Sequence, residues 1–297
     1  MRSVDAPLRL SVIVPVYRDW PALERCLAAL AAQALPMQDF EVLVVSNEET
    51  PPPAYLARGN VRLLHEPAGH SYAARNAGLL TAQGAVLAFT DSDCRPEPDW
   101  LTQGLAALQR PGVSLVGGRV LMVAERQSLA ADYDCCFAFP QAENIRQGHS
   151  VTANLFVKRA VFESVGTFNA ALQSSGDFDF CRRAVTAGFQ LHYAENAVVK
   201  HPARDRLEAL FRKNRRVAGG TRRRQLDLQG KGLGARLAFV RPLIKPPLRH
   251  WWRLLRGHGK TAGLPPLRRI GVVGLLCLLH YHFAVSVLRT PPSKEQH

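Results

Sequence analysis

The chain has 297 residues, 47% of them hydrophobic, which excludes a wholly disordered protein and allows one large α/β domain with an appendage or two modest domains. The net charge of +14 is unevenly placed, because residues 1–199 carry 16 Lys and Arg against 20 Asp and Glu, whereas residues 200–297 carry 22 against 4. This asymmetry predicts a first region that works on small molecules and a second region that meets an anionic surface.

Strand-like and helix-like segments alternate through the first 90 residues. Apolar and β-branched runs predict strands at Leu8–Val16, Phe40–Val45, Val61–Leu64 and Ala85–Phe89. Apolar residues at helical spacing predict helices at Pro21–Ala34 and Ser71–Leu80, the second with Ser71 as a candidate N-cap. Such alternation predicts βαβ units, a mainly parallel sheet, and ligands bound at the carboxyl ends of the strands.

The middle of the chain has a less regular pattern. A strand is predicted at Ser114–Val123, where Gly117-Gly118 indicates a bulge or the close approach of another backbone. Residues 125–150 receive no assignment. Further along, the pattern predicts a strand at Val151–Val157, helices at Lys158–Val165 and Asp177–Ala187, and short strands at Phe189–Tyr193 and Ala197–Lys200.

The composition changes after His201-Pro202. Arg204–Ala218 predicts a basic helix, and Arg236–Arg256 combines many cations with a pair of tryptophans. Ile270–Leu288 is an apolar run that would extend roughly 28 Å as a helix. These features fit an anionic membrane surface better than nucleic acid, for which no recognised binding module is visible. For the apolar run, an interfacial or re-entrant helix, a membrane span and a packed soluble helix all remain open.

The cysteines indicate a reducing compartment. None of the six forms a Cys-x-x-Cys pair, and the adjacent Cys135 and Cys136 are poorly placed to bridge each other. The N-terminus lacks the charged, apolar and small-residue layout of a signal peptide. We therefore expect a reduced protein on the cytoplasmic side of the membrane, with thiols used as small core residues.

Three features converge at the carboxyl ends of the predicted strands. Asp91 and Asp93 follow the strand at Ala85–Phe89, and two acids at the mouth of a buried strand predict a divalent cation that carries a diphosphate. Tyr17 ends the first strand with a ring able to stack on a base. The small-residue segment around Arg75 can approach a diphosphate closely and neutralise it. Together these features predict a nucleotide-diphosphate-metal site.

The order and spacing of these motifs resemble those of the family 2 glycosyltransferases of the GT-A fold. The resemblance covers roughly residues 8–205 and is carried by Ser11–Tyr17, Ala73–Gly78, Ala88–Asp93 with Pro96 and Trp100, Gly166–Phe168 and Gly176–Arg183. It implies an α/β fold with a Rossmann-like mixed sheet. It also implies metal-dependent transfer of a sugar from a nucleotide diphosphate donor to an acceptor hydroxyl, usually with inversion, with Mg²⁺ or Mn²⁺ as the cofactor.

The resemblance implies a role for each matching residue. The residues it places on the donor side are Pro15, Val16, Tyr17, Asn47, Arg75, Asp91 and Ser92. Asp93, with Asp91 and His201, would ligate the metal. Asp177 stands where the family keeps its general base, and one base suffices because the metal offsets the charge on the leaving diphosphate.

The chain departs from the family pattern in three places. The strand end at Ser46-Asn47 lacks the acid that usually reads the base and ribose, which leaves the nucleotide open. Gly176 stands where the family has an acid before the base. The Gln-x-x-Arg-Trp motif of processive relatives is absent, and Arg212–Arg216 stands near its place, which favours single additions over polymerisation.

We therefore expect a GT-A domain at residues 1–205 and a basic, apolar, membrane-associating extension at residues 206–297. The expected acceptor is a lipid-linked or cell-surface glycan. Two rival functions are a membrane-bound nucleotide-sugar binding protein without turnover and a sugar nucleotidyltransferase. The second rival needs a Gly-rich basic loop after the first strand, where this chain has Tyr17–Trp20.

Overall fold

A computed structural model describes residues 8–67, 69–229 and 244–289, with the backbone alone described for residues 223–229. The predicted regions that fall on residues 1–7, 230–243 and 290–297, including the first part of Arg236–Arg256, lie outside the described residues. The chain divides into two compact units. The first runs to Leu121 and resumes at Phe139–His201, and the second comprises Met122–Ala138 and the chain from Pro202 onward. The predicted boundary at 205–206 lies near the junction between His201 and Pro202, whereas the grouping of Met122–Ala138 with the C-terminal helices was not predicted.

Strands and helices alternate in the first unit, as the sequence pattern predicts. The strands are β1 (Leu10–Val16), β2 (Phe40–Ser46), β3 (Val61–His65), β4 (Val86–Phe89), β5 (Arg95–Pro96), β6 (Val113–Val123), β7 (Leu155–Lys158) and β8 (Gln190–Pro202). The helices, numbered in chain order through both units, are α1 (Trp20–Ala31), α2 (Ser71–Thr81), α3 (Trp100–Leu108), α4 (Leu129–Phe137), α5 (Gln141–Arg146), α6 (Arg159–Val165), α7 (Gly176–Thr186), α8 (Leu207–Gln229), α9 (Leu248–Leu255) and α10 (Pro266–Arg289).

One eight-stranded sheet organises the first unit, in the order β3-β2-β1-β4-β7-β6-β8-β5. β1 pairs in parallel with β2 and β4, and β2 pairs in parallel with β3. β7 runs antiparallel to β4 and β6, so the sheet is mixed, as expected for the GT-A fold. Every residue of β1 and β2 is buried, which is typical of central parallel strands. This arrangement brings the carboxyl ends of β1, β2 and β4 to one edge of the sheet.

Three predicted strands have different bounds in the structure, where they form β7 and β8. The predicted start at Val151 was too early, because Thr152–Asn154 form a 3₁₀ turn before β7 begins at Leu155. β8 is one strand where two were predicted. The exposed Glu195 and Asn196 interrupt the apolar pattern, but the strand continues through them to Pro202.

Three further local features test the sequence reading. The helix predicted from Ser71 starts there, but His70 is its N-cap residue, so Ser71 is not the cap. The predicted close approach at the glycine pair is confirmed, since a side-chain carbon on Gly118 would lie 2.3 Å from the carbonyl oxygen of Ala197. The unassigned stretch 125–150 contains α4 and α5, and α4 is capped by the Ser128 hydroxyl.

Helices α4, α8, α9 and α10 make up the second unit. Its buried apolar residues form one cluster of Ala130, Leu210, Leu275 and Leu279 and another of Trp251, Leu254 and Val273. Among the described helices, only α10 is long and apolar enough to cross a membrane by length and composition, and a third of its apolar window is buried. Both a membrane-associated helix and a packed core helix fit these properties.

Candidate active site

The acid pair lies in the turn that follows β4. The backbone N–H of Cys94 donates to the carbonyl of Asp91 at 3.0 Å and closes this turn. The side chains of Asp91 and Asp93 are 32% and 36% exposed, so both carboxylates lie at the surface edge of a buried strand. Cys94 is fully buried beneath them.

β5 brings His201 to the acid pair. This short strand begins two residues after Asp93 and pairs antiparallel with β8, with Arg95 opposite Lys200. His201 follows Lys200, and its Nε2 lies 3.6 Å from Oδ2 of Asp93. The ring of Phe139 packs against the imidazole with 4.8 Å between centroids, and His201 is buried. Strand pairing therefore joins residues that are 108 positions apart in the sequence.

Ligand atoms of Asp91, Asp93, Cys94 and His201 all lie within 4.8 Å of one another. Two carboxylates and an imidazole suit a divalent cation such as Mg²⁺ or Mn²⁺. Burial, followed by the negative charges of Asp91 and Asp93, raises the pKa of the Cys94 thiol well above its usual value. A protonated thiol is a poor ligand, so the oxygen and nitrogen donors are the ones that fit this group.

Arg75 lies on α2 and is almost fully buried. Its Nη2 donates to Oδ1 of Asp91 at 2.5 Å, and its guanidinium carbon lies 5.5 Å from the centre of the Tyr72 ring. The predicted role was direct contact with the diphosphate. In the structure the guanidinium is bonded to the Asp91 carboxylate, and its contact with a diphosphate stays a prediction.

The first two strand ends present fewer side chains than expected. Pro15 and Val16 are buried within β1, so the exposed part of this strand end is Tyr17, whose ring is 58% exposed. The Asn47 side-chain amide donates to the carbonyl of Glu66 at 3.0 Å. Ser92 lies half-buried between the two acids.

An acid follows the end of β2, but it is displaced along the chain. The Glu48 carboxylate accepts from the backbone N–H of Arg18 at 2.7 Å. Arg18 has a φ of 54°, a left-handed conformation that is strained for this residue type. Glu48 thus stabilises the turn that presents Tyr17, a role that the sequence reading missed.

Asp177 lies in the first turn of α7. Its Oδ1 accepts from the Tyr72 hydroxyl at 3.2 Å and from the backbone N–H of Phe178 at 2.9 Å. Tyr72 was not singled out from the sequence, although it lies beside the motif at Ala73–Gly78. The sequence could have indicated Tyr72, because it lies three residues before Arg75 and residues three apart share a helix face.

Comparisons with known proteins agree with this geometry. The family described as Glycosyl transferase family 2 matches residues 11–148, and that described as Glycosyl transferase family group 2 matches residues 86–288. Glycosyltransferase AglE of Haloferax volcanii is 36% identical over 282 residues, which are 91% of this chain and 92% of the relative. The pre-mycofactocin glycosyltransferase of Mycobacterium tuberculosis is 28% identical over 210 residues, 67% of this chain and 43% of the relative.

Solved structures share the fold. The mannosyltransferase PcManGT from Pyrobaculum calidifontis, in complex with GDP-Man and Mn²⁺, matches with a TM-score of 0.61 and 19% identity over 96% of this chain and 89% of its own. TarS residues 1–349 of S. aureus, in complex with UDP-GlcNAc, match with a TM-score of 0.54 and 18% identity over 95% and 91% of the two chains. The chain therefore belongs to the family 2 glycosyltransferases and is an enzyme that uses a nucleotide-sugar donor.

Proposed function

We propose that this enzyme transfers a single sugar, with inversion, from a nucleotide diphosphate donor to an acceptor hydroxyl on a lipid-linked or cell-surface glycan. In this proposal Asp91, Asp93 and His201 hold Mg²⁺ or Mn²⁺, and Asp177 is the general base. The reaction takes place on the cytoplasmic side of the cell membrane.

The observation that carries the proposal is that one helix face anchors both carboxylate sites. Tyr72 and Arg75 lie one turn apart on α2. The first donates to Asp177 and the second to Asp91, so one rigid element fixes the spacing between the metal-side and base-side carboxylates. Inverting transfer needs this arrangement, with a base on the face opposite the departing diphosphate.

Each group then has a task that its surroundings support. Asp177 accepts the proton from the acceptor hydroxyl as that oxygen attacks the anomeric carbon. Asp91, held by Arg75, and Asp93, beside His201, offer oxygen ligands at the donor side. When bound, the cation offsets the negative charge of the leaving diphosphate. The exposed ring of Tyr17 is suited to stack on the base of the nucleotide.

The related structures support the donor and the metal. PcManGT was solved with GDP-Man and Mn²⁺, and TarS was solved with UDP-GlcNAc. The similarity to these structures supports the fold. The support for a metal in this chain comes from its own cluster of ligand atoms at Asp91, Asp93, Cys94 and His201.

Replacement of Asp177 tests the base assignment. The D177N variant keeps the size of the side chain but removes the basic oxygen, so transfer should fall about 10²- to 10⁴-fold. Donor affinity, measured by calorimetry with nucleotide sugars in the presence of Mn²⁺, should stay unchanged. Full transfer by D177N would exclude this residue as the base.

The surface of α10 supports membrane association. Along one face, exposed residues recur three or four positions apart, namely Leu267, Ile270, Gly274, Leu278, Tyr281, Val285 and Leu288, and all but Gly274 carry large apolar side chains. The opposite face is buried. Asn214 of α8 bonds both the carbonyl of Leu279 and the ring of His282, so α10 is tied to a helix rich in cations. A helix packed in this way on a charged neighbour is suited to lie in the membrane interface rather than to span the bilayer.

Vesicle binding tests this surface. The double variant I270D/L278D should weaken flotation with anionic vesicles at least tenfold, roughly the effect of losing two exposed aliphatic side chains from the lipid contact. The matched control is L80D, because Leu80 is 86% exposed but lies outside this helix. Equal losses in the two variants, or no loss in either, would contradict the proposed membrane face.

A further inference from the structure

Gly176, the residue before Asp177, has no room for a side chain. A Cβ built there would lie 2.7 Å from the ring of Tyr72, well inside normal contact distance. The Tyr72 ring is itself buried and packs against Phe168, with 5.8 Å between ring centroids. The ring therefore occupies the space that a side chain at position 176 would fill, and it brings its hydroxyl to the start of α7.

The Tyr72 hydroxyl meets the start of α7 through the side chain of Asp177. Ser175, the N-cap residue, has a φ of 67° and its side chain makes no capping hydrogen bond. The first backbone N–H groups of a helix have no partner within the helix and need one from outside. At this helix start, Oδ1 of Asp177 accepts from the N–H of Phe178 at 2.9 Å, and the Tyr72 hydroxyl donates to the same oxygen at 3.2 Å.

The Tyr72 hydroxyl stays protonated, so it can always donate its hydrogen bond. Burial, followed by the negative charge of Asp177, raises the pKa of Tyr72, and the nearby Arg75 and the backbone N–H groups of Asp177 and Gly176 oppose this shift without cancelling it. The hydroxyl therefore keeps its proton across the physiological pH range.

The hydrogen bonds leave one oxygen of Asp177 available. Oδ1 accepts from both Tyr72 and the Phe178 backbone. Among the described residues, Oδ2 has no hydrogen-bond donor. Fixing one oxygen of a carboxylate fixes the direction of the other, which is the requirement for a base that must meet a hydroxyl at a defined angle.

We propose that Tyr72 is the positioning residue of the catalytic base: its hydroxyl holds Asp177 so that Oδ2 faces the acceptor hydroxyl, and Gly176 is required because it leaves room for the ring. This inference rests on the proposed function of Asp177 as the base.

The test uses the full-length enzyme with a nucleotide-sugar donor. The Y72F variant keeps the ring and removes only the hydroxyl, so kcat should fall about 10- to 100-fold, the size of effect expected from a misplaced catalytic group. KM for the donor and the melting temperature should stay close to the wild-type values, because the packing of the ring is retained. A kcat equal to that of the wild type would overturn the inference, since a ring that only packs is fully replaced by phenylalanine.

A double-mutant cycle adds a readout that a purely structural role would not give. The G176A methyl group must displace the Tyr72 ring, so G176A alone should also lower kcat. In the Y72F background, where the hydroxyl bond is already lost, G176A should cost little more, because residues that act through one contact are not additive. Losses in kcat that multiply in the double variant would contradict the coupling between Tyr72 and Gly176.

The D177N variant separates the two proposals. If D177N retained transfer, the base assignment itself would fail. If D177N lost transfer and Y72F did not, only the role of Tyr72 would fail.

Discussion

Asp134 in the second unit and the Asp91–Asp93 pair in the first unit carry the same chemical group in contrasting surroundings. The Asp134 side chain is 1% exposed, and both its oxygens accept hydrogen bonds from cations. Oδ2 accepts from the backbone N–H and the guanidinium of Arg204, each at 3.0 Å, and Oδ1 accepts from Nζ of Lys213 at 3.2 Å. Burial alone would raise the pKa of the Asp134 carboxyl, but Lys213 and Arg204 more than offset this and lower it.

The acid pair of the first unit is arranged in the opposite sense. Its side chains are partly exposed, Asp91 accepts from the guanidinium of Arg75, and ligand atoms of Asp91, Asp93, Cys94 and His201 converge within 4.8 Å of one another. Removing one partner from a buried, fully paired charge destabilises a fold, whereas acceptors that converge on a partly exposed point are arranged for a ligand. The contrast predicts that Asp134 acts on stability and the acid pair acts on activity.

The largest expected effect tests the activity side of this contrast. Asp93→Ala removes a metal ligand from a partly exposed position, so transfer should fall by roughly 10³-fold, equivalent to several kcal/mol of lost charge stabilisation. The free energy of unfolding in urea should change less than it does on loss of Asp134, because the Asp93 side chain is 36% exposed. A large loss of stability with retained transfer would reverse the assignment of the two clusters.

The second prediction tests the stability side. Asp134→Asn leaves two cations without their carboxylate, and removing one partner from a buried ion pair typically costs about 3–5 kcal/mol. We expect a lower urea midpoint with unchanged donor affinity. Glu208→Gln is the matched control, because Glu208 is an exposed acid of the same unit and its replacement should leave the midpoint unaltered. If D134N matched this control in stability, the cluster would not support the fold.

Asp91 is both paired with a buried cation and a candidate metal ligand, so its replacement tests both halves of the comparison. Its carboxylate is the partner of the buried Arg75 and is also a ligand atom of the candidate metal site. Asp91→Asn should therefore lower both readouts: donor affinity with Mn²⁺, and stability by about 1–3 kcal/mol for the weakened bond to a buried charged group. Isothermal calorimetry and urea unfolding measure the two losses in one preparation. A change in only one of them would show that Asp91 belongs wholly to one class.

The sequence predicted the parts of the molecule that depend on local pattern. The β-branched runs of β1 and β2 mark buried parallel strands without reference to any partner, and both lie within a few residues of their predicted bounds. The family resemblance named Asp91, Asp93 and His201, and β5 brings them together. The mixed sheet and the enzyme class are likewise confirmed.

The remaining features depend on contacts between distant residues. The hydrogen bond from Tyr72 to Asp177 joins residues 105 apart, and Asp134 meets its cations 70 and 79 residues away. No periodicity in a single sequence records such pairs. Arg75 illustrates the same limit, since its position in the motif indicated a basic group near the site but not that Asp91 would be its partner.

The smallest expected effect concerns the pH dependence of the Asp134 cluster. Burial lowers the pKa of Lys213 to about 8, Arg204 acts in the same direction, and Asp134 opposes both. In the unfolded chain this lysine returns to its ordinary value of 10.5, so between about pH 8 and 10.5 the unfolded state binds more protons than the folded state. The contribution of Lys213 to stability should therefore rise with pH in this window, by no more than about 1.4 kcal/mol per pH unit, and be constant below it. Asp134 stays ionised throughout this pH range.

The measurement is the difference in unfolding free energy between the wild type and K213M from pH 7 to pH 10. K245M is the control, because Lys245 is exposed. Parallel curves for the wild type and K213M would contradict the lowered pKa of Lys213.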